Sequence, residues 1–197
     1  MAEGKLTLVL DASVLINFLG SGCVEVILGS LPERILMAER TFNEVLRDPS
    51  GRMPASAQRQ ALVDQGLIVL TPLDHEGNER FLDLVADPAR LDDGEAAAVA
   101  LALITGAVPV LDDGRARRVF RERFPGRPFE SSAGLFRRLS ESGNLTAEVL
   151  RDALFGALQK ARMSVVPEEL DWVVRTLGSD LVARCPSFAR RHRARGA

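Results

Sequence analysis

The run Leu6–Leu10 is apolar but for Thr7 and ends abruptly at Asp11, in the segment LTLVLDASVLINFL. A strand with apolar residues at successive positions has both faces covered, so it belongs inside a parallel sheet. A second run, Val108–Leu111 in VPVLDDGRARRVF, has the same form and ends at Asp112 and Asp113. Between and after them, strand-like and helix-like stretches alternate. Helical periodicity is expected after Ser13, from Cys23 to Leu28, from Thr41 through Glu44, over Ala55–Gln65, Asp74–Ala86 (Phe81, Leu82 and Val85 on one face), Glu95–Thr105, Gly114–Phe124 and Ser131–Glu141. Short strands are expected at Arg34–Ala38, Leu67–Leu70 and near Arg127–Phe129, with DPSGRMP (48–54) as a loop and Pro88 ending a helix. That order predicts a three-layer α/β/α fold with a mainly parallel central sheet. From Gly143 the pattern is helical only, at Thr146–Ala161 and Pro167–Leu177. The expected division is 1–142 as the α/β domain and 143–197 as a helical C-terminal extension ending in a flexible basic tail, ARRHRARGA.

The chain has 197 residues, 46% hydrophobic and 26% charged, enough for one sizeable core. No apolar run is long enough to cross a bilayer. The MAEGKL stretch ahead of the first strand is too short and polar for a signal peptide. Cys23 and Cys185 are the only cysteines, which supports neither a zinc site nor a disulfide framework. A cytoplasmic protein with no membrane association is therefore expected.

Acidic residues stand at the ends of the strands or the starts of the helices: Asp11, Glu44 in TFNEVL, Glu95 in LDDGEAAAVALA, and Asp112–Asp113. Each has a structural explanation. Asp11 could cap the first helix, although Ser13 already offers a cap and makes Asp11 the hardest to explain this way; Thr41 and Glu44 match the capping-box spacing, and so do Asp92 and Glu95. Gly94 fits none of these, because a helix start does not favour it, and close packing on a neighbour would explain it. Two adjacent acids at 112 and 113 exceed what one cap needs. If the strands are parallel neighbours, all these carboxylates meet at one sheet edge, where α/β folds bind ligands. Carboxylates so gathered repel one another, and a divalent cation is the usual reason to gather them.

LVLDASVLINFL, TFNEVL, DGEAAAVALA and VPVLDDGRARRVF, in this order, resemble the four acidic motifs of the PIN-domain nucleases, the fold of the VapC-type toxins. ESSAGLFRRLSESGNLT is similar to a PIN subgroup with a small-residue turn and a Leu-rich helix after the fourth acid. The resemblance covers roughly Leu6 to Leu145, and more loosely the helical tail. It implies a metal-dependent ribonuclease, the toxin of a toxin–antitoxin pair, with Asp11, Glu44, Glu95 and Asp113 binding Mg²⁺ or Mn²⁺. Asp93 competes for the third position and Asp112 for the fourth. Ser13 matches a hydroxyl position that orients the first aspartate. Leu111 and Asp112 offer no hydroxyl where the family often has one. Arg115 and Arg118 are the expected contacts to RNA phosphates. The implied partners are an RNA substrate and a small antitoxin, with a homodimer as a further option, and the helices of Gly20–Leu31 are the expected docking surface. A PIN-fold binding module with a decayed site is the alternative. A metal-dependent phosphatase of the haloacid dehalogenase type is disfavoured: it needs an acid two residues after the first, where Ser13 stands, and a lysine between the motifs, where none lies.

Overall fold

A computed structural model describes residues 6–46, 49–50, 54–86, 91–186 and 188. The sheet contains β1 (Thr7–Leu10), β2 (Arg34–Ala38), β3 (Val69–Thr71) and β4 (Val108–Val110), all parallel, in the order β3-β2-β1-β4. The helices are α1 (Ala12–Ser21), α2 (Val24–Ser30), α3 (Glu39–Asn43), α4 (Ala55–Asp64), α5 (His75–Ala86), α6 (Asp93–Thr105), α7 (Gly114–Arg123), α8 (Ser132–Glu141), α9 (Ala147–Gln159), α10 (Leu170–Leu177) and α11 (Ser179–Ala183), with a 3₁₀ turn at Pro167–Glu169. The three-layer α/β/α expectation is met.

Successive strand residues feed opposite layers, as the pleat requires. Leu8, Leu10, Ile35 and Met37 enter one apolar cluster with α1, α2, α8 and α9, while Val9, Leu36 and Ala38 enter another with α5, α6 and α7. The first cluster also holds Leu154, Leu158, Val173 and Leu177. The helices beyond Gly143 thus share the core of the α/β layers. Contact between α1 and α9 is close: a methyl at Gly156 would lie 2.8 Å from the Gly20 carbonyl oxygen and 2.9 Å from that of Ser21.

Several local expectations are corrected. The helix holding Thr41 starts at Glu39, directly after β2, so Thr41 lies inside it and its hydroxyl donates to the Gly94 carbonyl at 3.0 Å. Glu44 stands at the C-terminal end of α3, and no capping box forms there. Ser13 lies within α1, whose N-cap position is Asp11. The helix holding Glu95 opens at Asp93, with Asp92 as its cap. On α5 the buried residues are Gly77, Phe81 and Leu84, while Leu82 is exposed. The third strand is Val69–Thr71, slightly later than expected. The expected strand at 127–129 is reduced to a parallel bridge between Val110 and Glu130. Pro109 explains this. Its carbonyl accepts from Glu130 N–H at 2.9 Å on the outer edge of β4, but it has no N–H to extend the ladder. On α2, Val24, Ile27 and Leu28 are buried in the core, and Val26 alone among its large apolar residues is exposed. The 48–54 loop apart from residues 49, 50 and 54, together with Pro88 and the basic tail, lies outside the described residues.

Candidate active site

In the order β3-β2-β1-β4 the chain turns from one side of β1 to the other, which opens a crevice beyond the C-terminal ends of β1 and β4. Asp11 follows β1 directly, and Asp112 follows β4 by one residue. Both line a pocket in that crevice with Ser13, Asn17, Glu44, Asp92, Glu95 and Asp113. Ala161, Arg162 and Ser164, from the turn after α9, form another wall of the same pocket.

The carboxylates fall into a floor and a rim. Asp11, Glu95 and Asp112 are 5%, 4% and 3% exposed, while Glu44, Asp92 and Asp113 are open to solvent. Ser13 Oγ donates to Asp11 Oδ2 at 2.6 Å, which fixes the Asp11 carboxylate in place. Burial nevertheless raises the Asp11 pKa to about 6; the charges of Asp92 and Asp112 push the same way. Glu95 is raised to about 7, again chiefly by burial, with Asp92, Asp113 and Asp11 adding repulsion. Glu44 is raised by partial burial and by Asp92, Asp11 and Asp93.

Glu95 completes the capping box foreseen from its spacing. Its backbone N–H donates to Asp92 Oδ1 at 2.9 Å, and its Oε2 accepts from the Asp92 N–H at 3.1 Å. Arg115 Nη2 reaches the same Oε2 at 3.4 Å, but Arg115 is half exposed and the contact is long, so it does not offset burial. Both contacts fall on Oε2, and Oε1 takes neither. Asp113 behaves alike: its Oδ1 caps α7 by accepting from the N–H groups of Arg115 and Ala116 at 2.7 and 3.0 Å, and Oδ2 takes neither bond.

Asp112 differs. Its Oδ1 accepts from Ser132 N–H at 2.8 Å, and its Oδ2 accepts from Ser132 Oγ at 2.5 Å and Asn17 Nδ2 at 2.6 Å. Burial raises its pKa while these donors and Arg117 pull it down. Asp112 thereby ties β4 to α1 and α8. Sequence reasoning missed Asn17 and Ser132. A signal existed for Asn17, an amide in the middle of the apolar helix VLINFL, since a buried amide needs a partner.

Glu44 is held through Gly94. A methyl group at position 94 would collide with the Glu44 carboxylate, so glycine lets that carboxylate lie against the start of α6. Asp93 faces a neighbouring cleft and pairs with Arg40 at 3.1 Å in solvent. Arg118 lies with Arg117 and Arg121 in another cleft, lined by Gly114 and Glu168. His75 is exposed on α5, where it contacts Glu79 at 3.5 Å, and it does not line the carboxylate pocket.

A PIN-domain family model matches residues 7–178, and the match runs from β1 through α10. The chain belongs to the PIN-domain family. Proteins of this fold are generally nucleases, and the chain has a nuclease-type fold. The matched span includes the helices beyond Gly143, consistent with their place in the shared core. A search of curated proteins found no match. Among the described residues of this PIN domain, no single helix is long and apolar enough to cross a membrane.

The oxygen-only donor set of the pocket fits a hard divalent cation, and so does its excess of desolvated carboxylates. As the side chains stand, no three His, Cys, Asp or Glu among the described residues are arranged around one ion position. Capping bonds hold one oxygen each of Glu95 and Asp113 and leave the other outside those bonds.

Proposed function

We propose that this PIN domain is a Mg²⁺- or Mn²⁺-dependent endoribonuclease whose site is the pocket floored by Asp11 and Glu95. The observation that carries this is the gathering of buried, mutually repelling carboxylates at the sheet's switch point, with Arg115, among the described residues, as the one cation bonded to them. Such a cluster is costly in itself and becomes favourable around a cation. Asp11, Glu44, Glu95 and Asp113 would hold the metal, directly or through water. When bound, the ion supplies acidification of a water nucleophile and neutralisation of phosphate charge.

The chain's own residues do the rest. Ser13 holds Asp11 in one orientation. The capping bonds fix Glu95 and Asp113 at the N-termini of α6 and α7, whose partial positive charge steadies them as anions. Asp112, with both oxygens bonded inside the protein, acts as the anchor that holds the floor together rather than as a ligand. Gly94 leaves room for Glu44 at the rim. Arg115 and Arg118 lie on the helix that Asp113 caps, where they contact phosphates of the RNA strand.

The likeness to VapC-type toxins extends the proposal to a toxin role, with a small protein antitoxin that neutralises this PIN domain. The test is incubation of the purified protein with a mixed RNA pool and Mn²⁺ or Mg²⁺, with EDTA and Asp11→Asn as controls. Metal-dependent cutting that disappears in both controls supports the nuclease. A folded protein that neither cuts RNA nor binds metal refutes it and leaves the decayed binding module. Co-purification of a small protein that stops the cutting supports the toxin role.

A further inference from the structure

Seven described residues have a positive φ, and six of them are glycines: Gly22, Gly66, Gly106, Gly126, Gly143 and Gly178. The seventh is Arg162, with φ of 58°. A side chain in this region meets the following carbonyl, which is why glycine is the usual residue there just past a helix end. Strain of this kind persists where the surroundings over-determine it, often beside a functional site. Arg162 stands in the turn after α9, on the wall of the carboxylate pocket.

The turn is firmly placed. Met163 N–H closes it on the Ala157 carbonyl at 3.1 Å, and Met163 and Val165 are buried on either side of exposed Ser164. Ala161 packs on α1 so tightly that a methyl at Gly20 would lie 2.6 Å from its Cβ. Yet the Arg162 side chain is exposed and, among the described residues, makes no hydrogen bond or ion pair. A cation held without a partner beside an acidic pocket is positioned for an anion that is not part of the protein. The need for one is plain, because a polyanionic strand approaching this floor is repelled by it. Arg115 is already in contact with Glu95 on the α7 side.

We propose that Arg162 is a substrate-binding residue: it contacts a backbone phosphate of the nucleic-acid strand from the wall formed by the turn after α9, so that the C-terminal helices supply one side of the substrate site. This rests on the nuclease reading above. Arginine suits the task because its planar fork meets phosphate oxygens in pairs.

The test compares wild type with Arg162→Ala, Arg162→Lys and Arg162→Gly. Binding of a fluorescent single-stranded RNA oligonucleotide is read by anisotropy in the Asp11→Asn background over a salt series, and KM and kcat are read in the active background. Loss of one phosphate contact lowers the slope of log affinity against log salt by about 0.7. Arg162→Ala and Arg162→Gly should show that loss, with affinity down about tenfold, KM raised to match and kcat little changed; Arg162→Lys should keep most of the slope. Arg162→Gly should also melt roughly 2–4 °C higher, because it relieves the left-handed strain. A residue kept for structural reasons would instead lower Tm and leave the salt slope alone. Wild type that binds and cuts RNA, with variants of unchanged slope and KM, overturns the role of Arg162 and leaves the nuclease standing. Wild type that neither binds nor cuts overturns both.

Discussion

Replacing Asp11 by Asn separates a carboxylate kept for chemistry from one kept for folding. In the folded chain the Asp11 pKa rises from 3.8 to about 6, mainly because burial penalises its charged form. A group whose folded pKa is raised contributes stability that is fully present below its unfolded pKa and is lost as pH rises through the folded value. The difference of about 2 units, at 1.36 kcal/mol each, means that ionised Asp11 costs the metal-free protein about 3 kcal/mol at neutral pH. Asn keeps the shape and an oxygen for the Ser13 hydroxyl without the charge. With EDTA at pH 7.5, Asp11→Asn should therefore be more stable than wild type by about 1–3 kcal/mol. At about 2–4 °C per kcal/mol for a chain of this size, that is a readily measured rise in Tm. At pH 4 most of the advantage should vanish, because wild-type Asp11 is then protonated in the folded state. Glu95 follows the same rule between 4.5 and about 7, so metal-free wild type should lose stability steadily as pH rises across the combined window. Saturating Mn²⁺ should stabilise wild type by about 2.7 kcal/mol at a hundred times its dissociation constant and the variant by much less. Thermal melts at both pH values, with EDTA and with Mn²⁺, supply all four comparisons. A variant that melts below wild type in EDTA at pH 7.5 refutes the reasoning and makes Asp11 a structural residue.

Two further substitutions probe the rest of the site. Gly94→Ala would normally stabilise a helix by up to about 1 kcal/mol; here the added methyl strikes the Glu44 carboxylate, so cleavage should fall at least about tenfold with no gain in Tm. A more stable and fully active Gly94→Ala would mean that Glu44 has no fixed place. Asp112→Asn and Asp113→Asn should differ sharply in urea denaturation. Whichever way the new amide at position 112 turns, it sets an NH₂ against a donor from Ser132 or Asn17, at a cost of about 2–3 kcal/mol. Asp113→Asn keeps the cap, because Asn serves as well as Asp there, and should cost under about 0.5 kcal/mol while still abolishing cleavage. Equal losses of stability would refute the division into anchor and ligand.

The apolar runs before Asp11 and Asp112 made β1 and β4 legible, because a short run of that composition, rich in Val and Leu and stopped by a charge, suits a strand covered on both faces. They also placed both acids at one sheet edge, since neighbouring parallel strands end together. Glu44 shows the limit of such reading. Thr41 and Glu44 have capping-box spacing, but a spacing motif is local, whereas the start of α3 is set by where β2 leaves the sheet, and that depends on its pairing with β1 and β3. The helix begins two residues earlier, and Glu44 reaches the pocket from its far end. The partner of Asp112 was legible only in half. Asn17 announced an unmet polar need within an apolar helix, but nothing local said that Ser132, 115 residues away, would share the bond.

Glu95 resolves the contest between capping and chemistry that spacing leaves open. Asp92 and Glu95 do form the capping box, so the structural reading of that spacing is correct. The box occupies Oε2, and Arg115 shares that oxygen, which leaves Oε1 outside both contacts. Asp113 divides its two oxygens in the same way. A helix N-terminus is therefore an economical place to mount a carboxylate: the cap fixes one oxygen, the helix dipole favours the anion, and the second oxygen projects from a rigid base. A carboxylate bonded only to water would have to be ordered on binding, with a loss of side-chain entropy that these two have already met in folding. Arg162 follows the opposite logic, since no cap or partner among the described residues holds its side chain and only the backbone fixes its position. No sequence pattern marks a left-handed arginine, so the wall of the pocket contributed by the C-terminal helices became visible only once the chain was folded.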